Sequence, residues 1–412
     1  MRKKSAQLIA LMMAVMLTFS ACDKPPVKDD PVATDEYNEP VSTDMTDDTA
    51  VSAQEPAIEP WVDKIPDKCT SRYGYYSLDA SEKAVYDKIV EAAKRYDDEV
   101  EIDREISKSR LEEICEMIFI EENALYYLSN EYNVTFNADT GNATSVILSY
   151  KFDHEELAYL NTMTEERIEE ILKKITDEMS DVDKLKLFHD EIVFGCKYEA
   201  EGRYTATPFG ALVDGKALCE GYARAMALLC NKVGIENMFA TGTQYNTDEN
   251  GVTTEEEHIW NMIKLEGLWY NMDVTWDDPA SIKNGRELED DYISYSYFLI
   301  PSNELRPTLS IRTDLVEPPA AYSNDCNYFV YYGYYAESYE QALKILEKSI
   351  KEGNSKGEKY VRIKFATPAL YKEAANKLFR QKEIYTICPD ILPKKIEFFW
   401  NETAKCIQFS IR

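Results

Sequence analysis

Three residues of this 412-residue chain have types and spacing suited to covalent chemistry: Cys219, His258 and Asp273. Cys219 follows the Gly-punctuated stretch Gly210-Ala211-Leu212-Val213-Asp214-Gly215-Lys216-Ala217-Leu218. After it, Ala223, Ala225, Met226, Leu228, Leu229 and Val233 recur at helical intervals until Gly234. The pattern predicts a helix with the thiol at its head. The positive end of the helix dipole favours a thiolate there, and the free N–H groups of the first turn point where an oxyanion would form. A cysteine in such a place is commonly structural, so the case turns on its partners.

His258 and Asp273 fall in two alternating runs, 257–265 and 268–276, separated by Glu266-Gly267. Alternation about a two-residue Gly-containing turn predicts a β-hairpin. Leu265 then faces Leu268, Asp273 faces Trp260 and His258 faces Thr275. In that register His258 and Asp273 are diagonal neighbours on one face, within side-chain reach. Ile259, Ile263, Leu265, Leu268, Tyr270, Met272 and Val274 line the opposite, apolar face. A strand histidine is commonly just hydrogen-bonded, but here the register delivers a carboxylate to it. The three types form a working set: the thiol attacks an acyl carbon, the imidazole moves the proton, and the carboxylate orients the imidazole and stabilises its charged form. Asp277 and Asp278, in the Pro-terminated turn beyond, read as structural or solvated.

The run from Thr207 to Ala225, the strand His258-Ile259-Trp260-Asn261 and the segment from Trp269 to Pro279 together resemble the transglutaminase-like superfamily, in its bacterial extracytoplasmic members. The similarity spans about 187 to 279, and Tyr297-Phe298-Leu299 resembles the family's following strand. The resemblance implies an α+β chain with a papain-like core, in which the Cys219 helix packs on an antiparallel sheet carrying His258 and Asp273. It implies a Cys219–His258–Asp273 triad acting on peptide or amide bonds of a protein or peptide substrate through a thioester, with no cofactor. Water or an amine could resolve that thioester, and both outcomes stay open. Papain-like proteases proper fit less well, since they use Asn as third member and space Cys and His more widely. Tyr198 stands where some relatives supply an oxyanion donor, and Trp260, Trp269 and Trp276 could wall a substrate groove; packing is the competing role for each. A surface binding or scaffold protein with a vestigial triad is the alternative, against which the three intact residues speak.

The N-terminus reads as an export signal. Arg2, Lys3 and Lys4 precede an apolar run, 8–19, that is shorter than the roughly 20 residues needed to span a bilayer. It ends in Phe19-Ser20-Ala21-Cys22, which resembles the lipobox of bacterial lipoproteins and implies a lipid anchor on Cys22. The expected location is the extracytoplasmic face of a bacterial cell membrane, held by lipid alone. A formal net charge of −29 argues against nucleic acid as a partner and against adhesion to anionic lipid by charge. With no CxxC pair and three histidines, no plausible zinc ligand set is present. The remaining cysteines read mostly as buried thiols.

These elements divide the chain into a signal peptide (1–21), an acidic, Pro-rich disordered tether (22–65), an N-terminal α+β region (66–165), a catalytic domain (166–315) and a small C-terminal α+β domain (316–412). The N-terminal region opens with a capping box at Asp79-Ala80-Ser81-Glu82 and a helix through Val85, Tyr86, Ile89, Val90 and Ala93. A strand at 100–102, a helix over 108–127 and a strand at 145–150 follow, and a helical stretch over 165–193 leads into the chemistry. The C-terminal domain reads as βαβαββ, with strands at 328–332, 360–365, 396–400 and 406–411.

Overall fold

The computed structural model describes residues 71–247, 252–278, 292–393 and 396–411. The expected lipobox and tether lie outside the described residues. Where the chain is described, it alternates short, mostly antiparallel sheets with helices, an α+β arrangement.

The first unit holds helices α1 (Tyr73–Ser77), α2 (Ala80–Lys94) and α3 (Lys108–Glu121) and strands β1 (Glu99–Glu101), β2 (Asn133–Phe136) and β3 (Ala143–Ile147). Asp79 caps α2 as its spacing predicts: its carboxylate accepts from the N–H groups of Ser81 and Glu82, and Glu82 returns a bond to the Asp79 N–H. Helix α3 is shorter than expected, because the backbone leaves helical geometry at Glu122. The sheet runs β1-β3-β2, all antiparallel. The helical stretch expected over 165–193 is two helices, α4 (His154–Leu172) and α5 (Asp181–Gly195). Ser180 restarts the second, exchanging cap bonds with Asp183.

The central unit follows: β4 (Lys197–Tyr198), β5 (Lys216–Ala217), α6 (Cys219–Val233), β6 (Asn237–Thr247), β7 (Thr253–Leu265), β8 (Leu268–Met272), α7 (Val274–Asp277) and β9 (Leu309–Ile311). Its main sheet has the order β8-β7-β6-β9, antiparallel throughout. Glu266 and Gly267 both take positive φ, 51° and 83°, the geometry of a tight two-residue hairpin turn. The register is the expected one, Leu265 opposite Leu268 and Ile263 opposite Tyr270. The second strand does not run on to Trp276, however. It stops at Met272, because the Asp273 carboxylate accepts the Trp276 N–H and turns the chain into α7.

Both faces of the hairpin are buried, not one. Ile263, Leu265, Tyr270 and Met272 pack with Phe188 of α5 and with Tyr222, Met226 and Leu229 of α6. On the other face Trp260, Met262 and Trp269 pack with Trp276, Tyr297 and Ile300. Tyr297-Phe298-Leu299 is a turn, not the expected strand; a bridge between Asn271 and Ile300 fastens it to the sheet.

The last unit contains α8 (Tyr328–Tyr331), β10 (Tyr335–Ala336), α9 (Tyr339–Lys356), β11 (Tyr360–Phe365), α10 (Pro368–Ala374), α11 (Ile384–Ile387), β12 (Phe398–Asn401) and β13 (Cys406–Ser410). Tyr328–Tyr331, expected as a strand, is a helical turn, since Asn327 caps it by accepting the Phe329 N–H, and Tyr328 and Phe329 pack inward. The first strand is instead β10, parallel to β11, in a sheet of order β10-β11-β13-β12. Buried Lys364 of β11 donates to Glu304, which Lys405 also contacts, fastening this sheet to the central unit.

Helix α6 is set by a close approach. The Leu218 N–H donates to the Thr205 carbonyl at 2.9 Å, drawing the 204–207 loop onto the first turn of the helix. A Cβ added at Gly221 would lie 2.5 Å from the Thr205 oxygen and 2.8 Å from the Ala217 Cβ. Gly221→Ala is therefore expected to lower unfolding free energy by about 1–3 kcal/mol, the usual cost of volume forced into a packed site. Urea denaturation measures it, and wild-type stability in that variant would contradict the close approach.

Candidate active site

Cys219 is the first residue of α6. Its preceding cap residue, Leu218, is extended (φ −86°, ψ 173°) and offers no side-chain bond to the first turn. An uncapped helix start leaves N–H groups for an incoming oxygen and concentrates the positive end of the dipole at the sulfur. The turn before it closes on Gly215 in the left-handed region, φ 76°. The two-stranded parallel ladder β4–β5 then places Tyr198 opposite Ala217, two residues before the thiol. Tyr198 is partly buried there, packed against the main core.

One residue on, Glu220 is buried and paired with Arg224 at 2.8 Å. Arg224 also donates to the Phe119 carbonyl at 3.1 Å and approaches Asn123 Oδ1 at 3.4 Å, so the N-terminal unit grips the helix beside Cys219. Burial pushes the Glu220 carboxyl up, but Arg224 and Lys151 outweigh it and hold the group below its usual range. Ile120 of α3 packs against a cluster of Cys219, Ala223, Phe239 and Ile259.

His258 sits in β7 opposite Gly242. Its Nε2 meets Asp273 Oδ2 at 2.6 Å, both side chains nearly excluded from solvent. With Nε2 engaged, Nδ1 is the ring nitrogen that remains for Cys219, whose side chain is within hydrogen-bonding range of the imidazole. Burial alone would lower the imidazole pKa. The charge of Asp273 and the bond to it, with Cys219 adding to the same sense, instead raise it to about 10. The other Asp273 oxygen accepts the Trp276 N–H at 3.1 Å, and its own N–H donates to the Tyr297 carbonyl, fixing the carboxylate from both sides.

Aromatic rings hold the imidazole plane. Trp276 stacks on His258 with centroids 4.5 Å apart and planes 4° from parallel. The Arg306 guanidinium lies over the same indole at 4.1 Å and donates to the Tyr297 hydroxyl. Trp260, weighed as a groove wall, is 1% exposed and belongs to the core; its indole N–H donates to Asn271 at 2.9 Å, and its ring lies 6.0 Å from that of His258. Asn261 donates to the Ala223 carbonyl and ties β7 to α6.

The structure thus brings Cys219, His258 and Asp273 together, with Tyr198 paired to Ala217 two residues before Cys219. Sequence reasoning missed Arg306 and Tyr222; it left Trp276 open between groove wall and core, and Asp277 and Asp278 open between structural and solvated roles, of which the structure shows the structural one. Those two carboxylates are not solvated: their exposures are 0% and 2%. Asp277 contacts His189 and accepts from Ser294 and the Tyr297 N–H, and Asp278 accepts from Tyr222. The one local signal was their place directly after Trp276, within reach of whatever Asp273 caps.

Residues 168–274 match the family model described as the transglutaminase-like superfamily, a segment that includes all three residues. The kyphoscoliosis peptidase of Mus musculus is 27% identical over 106 residues, which are 24% of this chain and 16% of that protein. Its Homo sapiens counterpart is 30% identical over 82 residues, 19% of this chain and 12% of that protein. The chain therefore spans only a small part of the length of these relatives. The crystal structure of a TGase aligns with 46% of this chain and 52% of its own, at 14% identity and a TM-score of 0.24.

The raised pKa of His258 fixes how its pair with Asp273 responds to pH. A folded-state value above the ordinary 6.5 means the pair's contribution to stability is present in full below 6.5 and is lost as pH rises to about 10. Wild type should therefore lose stability relative to Asp273→Asn across that window, by urea denaturation at successive pH values. A difference independent of pH would contradict the charged pair.

Proposed function

With residues 168–274 belonging to the transglutaminase-like superfamily, we propose that this protein is a thiol enzyme acting on peptide or amide bonds. Cys219, His258 and Asp273 carry the reaction. The observation behind the proposal is the buried 2.6 Å contact between His258 Nε2 and Asp273, which leaves Nδ1 for Cys219 at a helix start.

In the resting site the Cys219 proton passes to Nδ1, and Asp273 stabilises the imidazolium that results. The thiolate attacks the carbonyl carbon, and the carbonyl π pair moves to oxygen, where the first-turn N–H groups of α6 accept the charge. As the oxyanion collapses, the C–N bond breaks and the imidazolium gives its proton to the departing nitrogen, leaving a thioester on Cys219. Water or an amine then attacks the thioester, His258 takes the proton of that nucleophile, and the C–S bond breaks to return the thiol. Water makes the reaction hydrolysis or deamidation; an amine makes it a cross-link. Tyr198, beside the segment leading to Cys219, is positioned to meet the oxyanion or the substrate chain.

A protein or peptide at the cell surface suits such a site as substrate. The reading places the enzyme on the extracytoplasmic face of a bacterial membrane, lipid-anchored through Cys22, with 22–65 as spacer. Export signal and lipobox support that placement.

Incubating the chain from residue 23 onward with a glutamine-bearing peptide, with and without a primary amine, tests the reaction by mass. Loss of ammonia or gain of the amine is expected, abolished in Cys219→Ala and reduced in Asp273→Asn by about 10⁴-fold, as in the serine analogue. An unmodified peptide together with a Cys219 no more reactive than Cys230 would favour a binding role with a vestigial triad. For the anchor, Cys22→Ser is expected to shift the full-length protein from the detergent phase to the aqueous phase; unchanged partitioning would refute lipidation.

A further inference from the structure

Helix α7 has four residues, Val274 to Asp277, and a single turn of helix has no stability of its own. Its head is Asp273, which presents Oδ2 to His258. The position of that carboxylate therefore depends on whatever holds the turn. At the far end, Asp278 accepts the hydroxyl of Tyr222, which stands one turn beyond Cys219 on α6. Beside it, Asp277 meets His189 Nε2 of α5 at 3.3 Å, accepts from Ser294 Oγ at 2.8 Å and from the Tyr297 N–H at 3.1 Å. The Tyr297 carbonyl in turn accepts the Asp273 N–H, so one residue clasps both ends of the turn.

We infer that Tyr222 is a positioning residue for the triad: through Asp278 it holds α7 at a set distance from α6, and so holds Asp273 against His258 and His258 against Cys219. This inference rests on the triad reading above. The geometry is a closed ring. One arm runs Cys219, His258, Asp273; the other runs from Cys219 along α6 to Tyr222, across to Asp278 and back along α7 to Asp273. Residues three apart on a helix share a side, so Tyr222 measures the gap from the same side of α6 that carries the thiol. Apolar side chains would fill this space without the desolvation that two carboxylates incur. Charge-assisted bonds to a tyrosine hydroxyl and a histidine supply what packing does not, a fixed direction and length.

The test is the rate of Cys219 alkylation by iodoacetamide against pH, mapped by peptide mass, with thermal unfolding measured alongside. Tyr222→Phe and Asp278→Ala are expected to slow alkylation at about pH 6 by at least tenfold, as a misplaced catalytic group does. Asp278→Asn still accepts from Tyr222 and should retain the wild-type profile. Tyr86→Phe removes an equally buried hydroxyl, bonded to Glu122 in the N-terminal core, and controls for destabilisation alone. Wild-type alkylation in Tyr222→Phe and Asp278→Ala overturns the inference, as does a loss matched by Tyr86→Phe. His258→Ala separates the two readings. If it too leaves the profile unchanged, the triad itself fails; if it abolishes the acidic limb while Tyr222→Phe does not, only the positioning role fails. Should Tyr222→Phe not fold, Asp278→Ala against Asp278→Asn decides alone. If neither Tyr222→Phe nor Asp278→Ala folds, the contact serves stability and the inference is overturned.

Discussion

A hydrogen bond 2.6 Å long, between His258 and Asp273, sits where almost no water reaches. Taking an imidazolium and a carboxylate out of water costs several kcal/mol per ion, and their attraction offsets it only when the remaining donors and acceptors are satisfied in good geometry. The surroundings meet that demand group by group. The second Asp273 oxygen accepts a backbone N–H, the imidazole plane lies flat on Trp276, and Cys219 interacts with the same imidazole. Remove the carboxylate and the histidine has little reason to be charged in such a place; burial alone would push it to the neutral form.

The flanking units matter through the same constraint. Arg224 neutralises Glu220 one residue from Cys219, and the N-terminal unit supplies the Phe119 carbonyl and Asn123 that complete the arginine's surroundings. Lys364 and Lys405 reach Glu304, two residues from Arg306, which covers the indole stacked on His258. Both ends of the chain thus supply groups that close off charged parts of the central unit from water. That closure strengthens every electrostatic contact inside it. It also leaves Cys219 only 5% exposed.

Much of this was legible in the residues because some local rules leave little freedom. A two-residue Glu-Gly turn permits one register, and that register brings His258 to Asp273; the thiol at a helix start follows from a glycine turn before an amphipathic run. The hairpin's end was not legible in the same way. Alternation continues through Trp276, yet Asp273 spends an oxygen on a cap and stops the strand. Tyr328–Tyr331 misled for a related reason: aromatic residues favour strands on average, but an Asn cap and a tertiary core decided for helix. Asp277 and Asp278 could be read as either structural or solvated because their partners, His189, Tyr222, Ser294 and Tyr297, are separated from them in sequence by 17 to 88 positions. No pattern within a local window encodes such pairings.

The central claim is that Asp273 holds His258 as an imidazolium beside Cys219. The most direct measurement is the His258 titration followed by nitrogen chemical shifts of the labelled imidazole, in wild type and in Asp273→Asn. A charged ring is expected to persist until about pH 10 in the wild type, and a neutral ring by about pH 7 once the carboxylate is gone. A wild-type His258 that is already neutral at about pH 7, with Asp273→Asn titrating no differently, would contradict it.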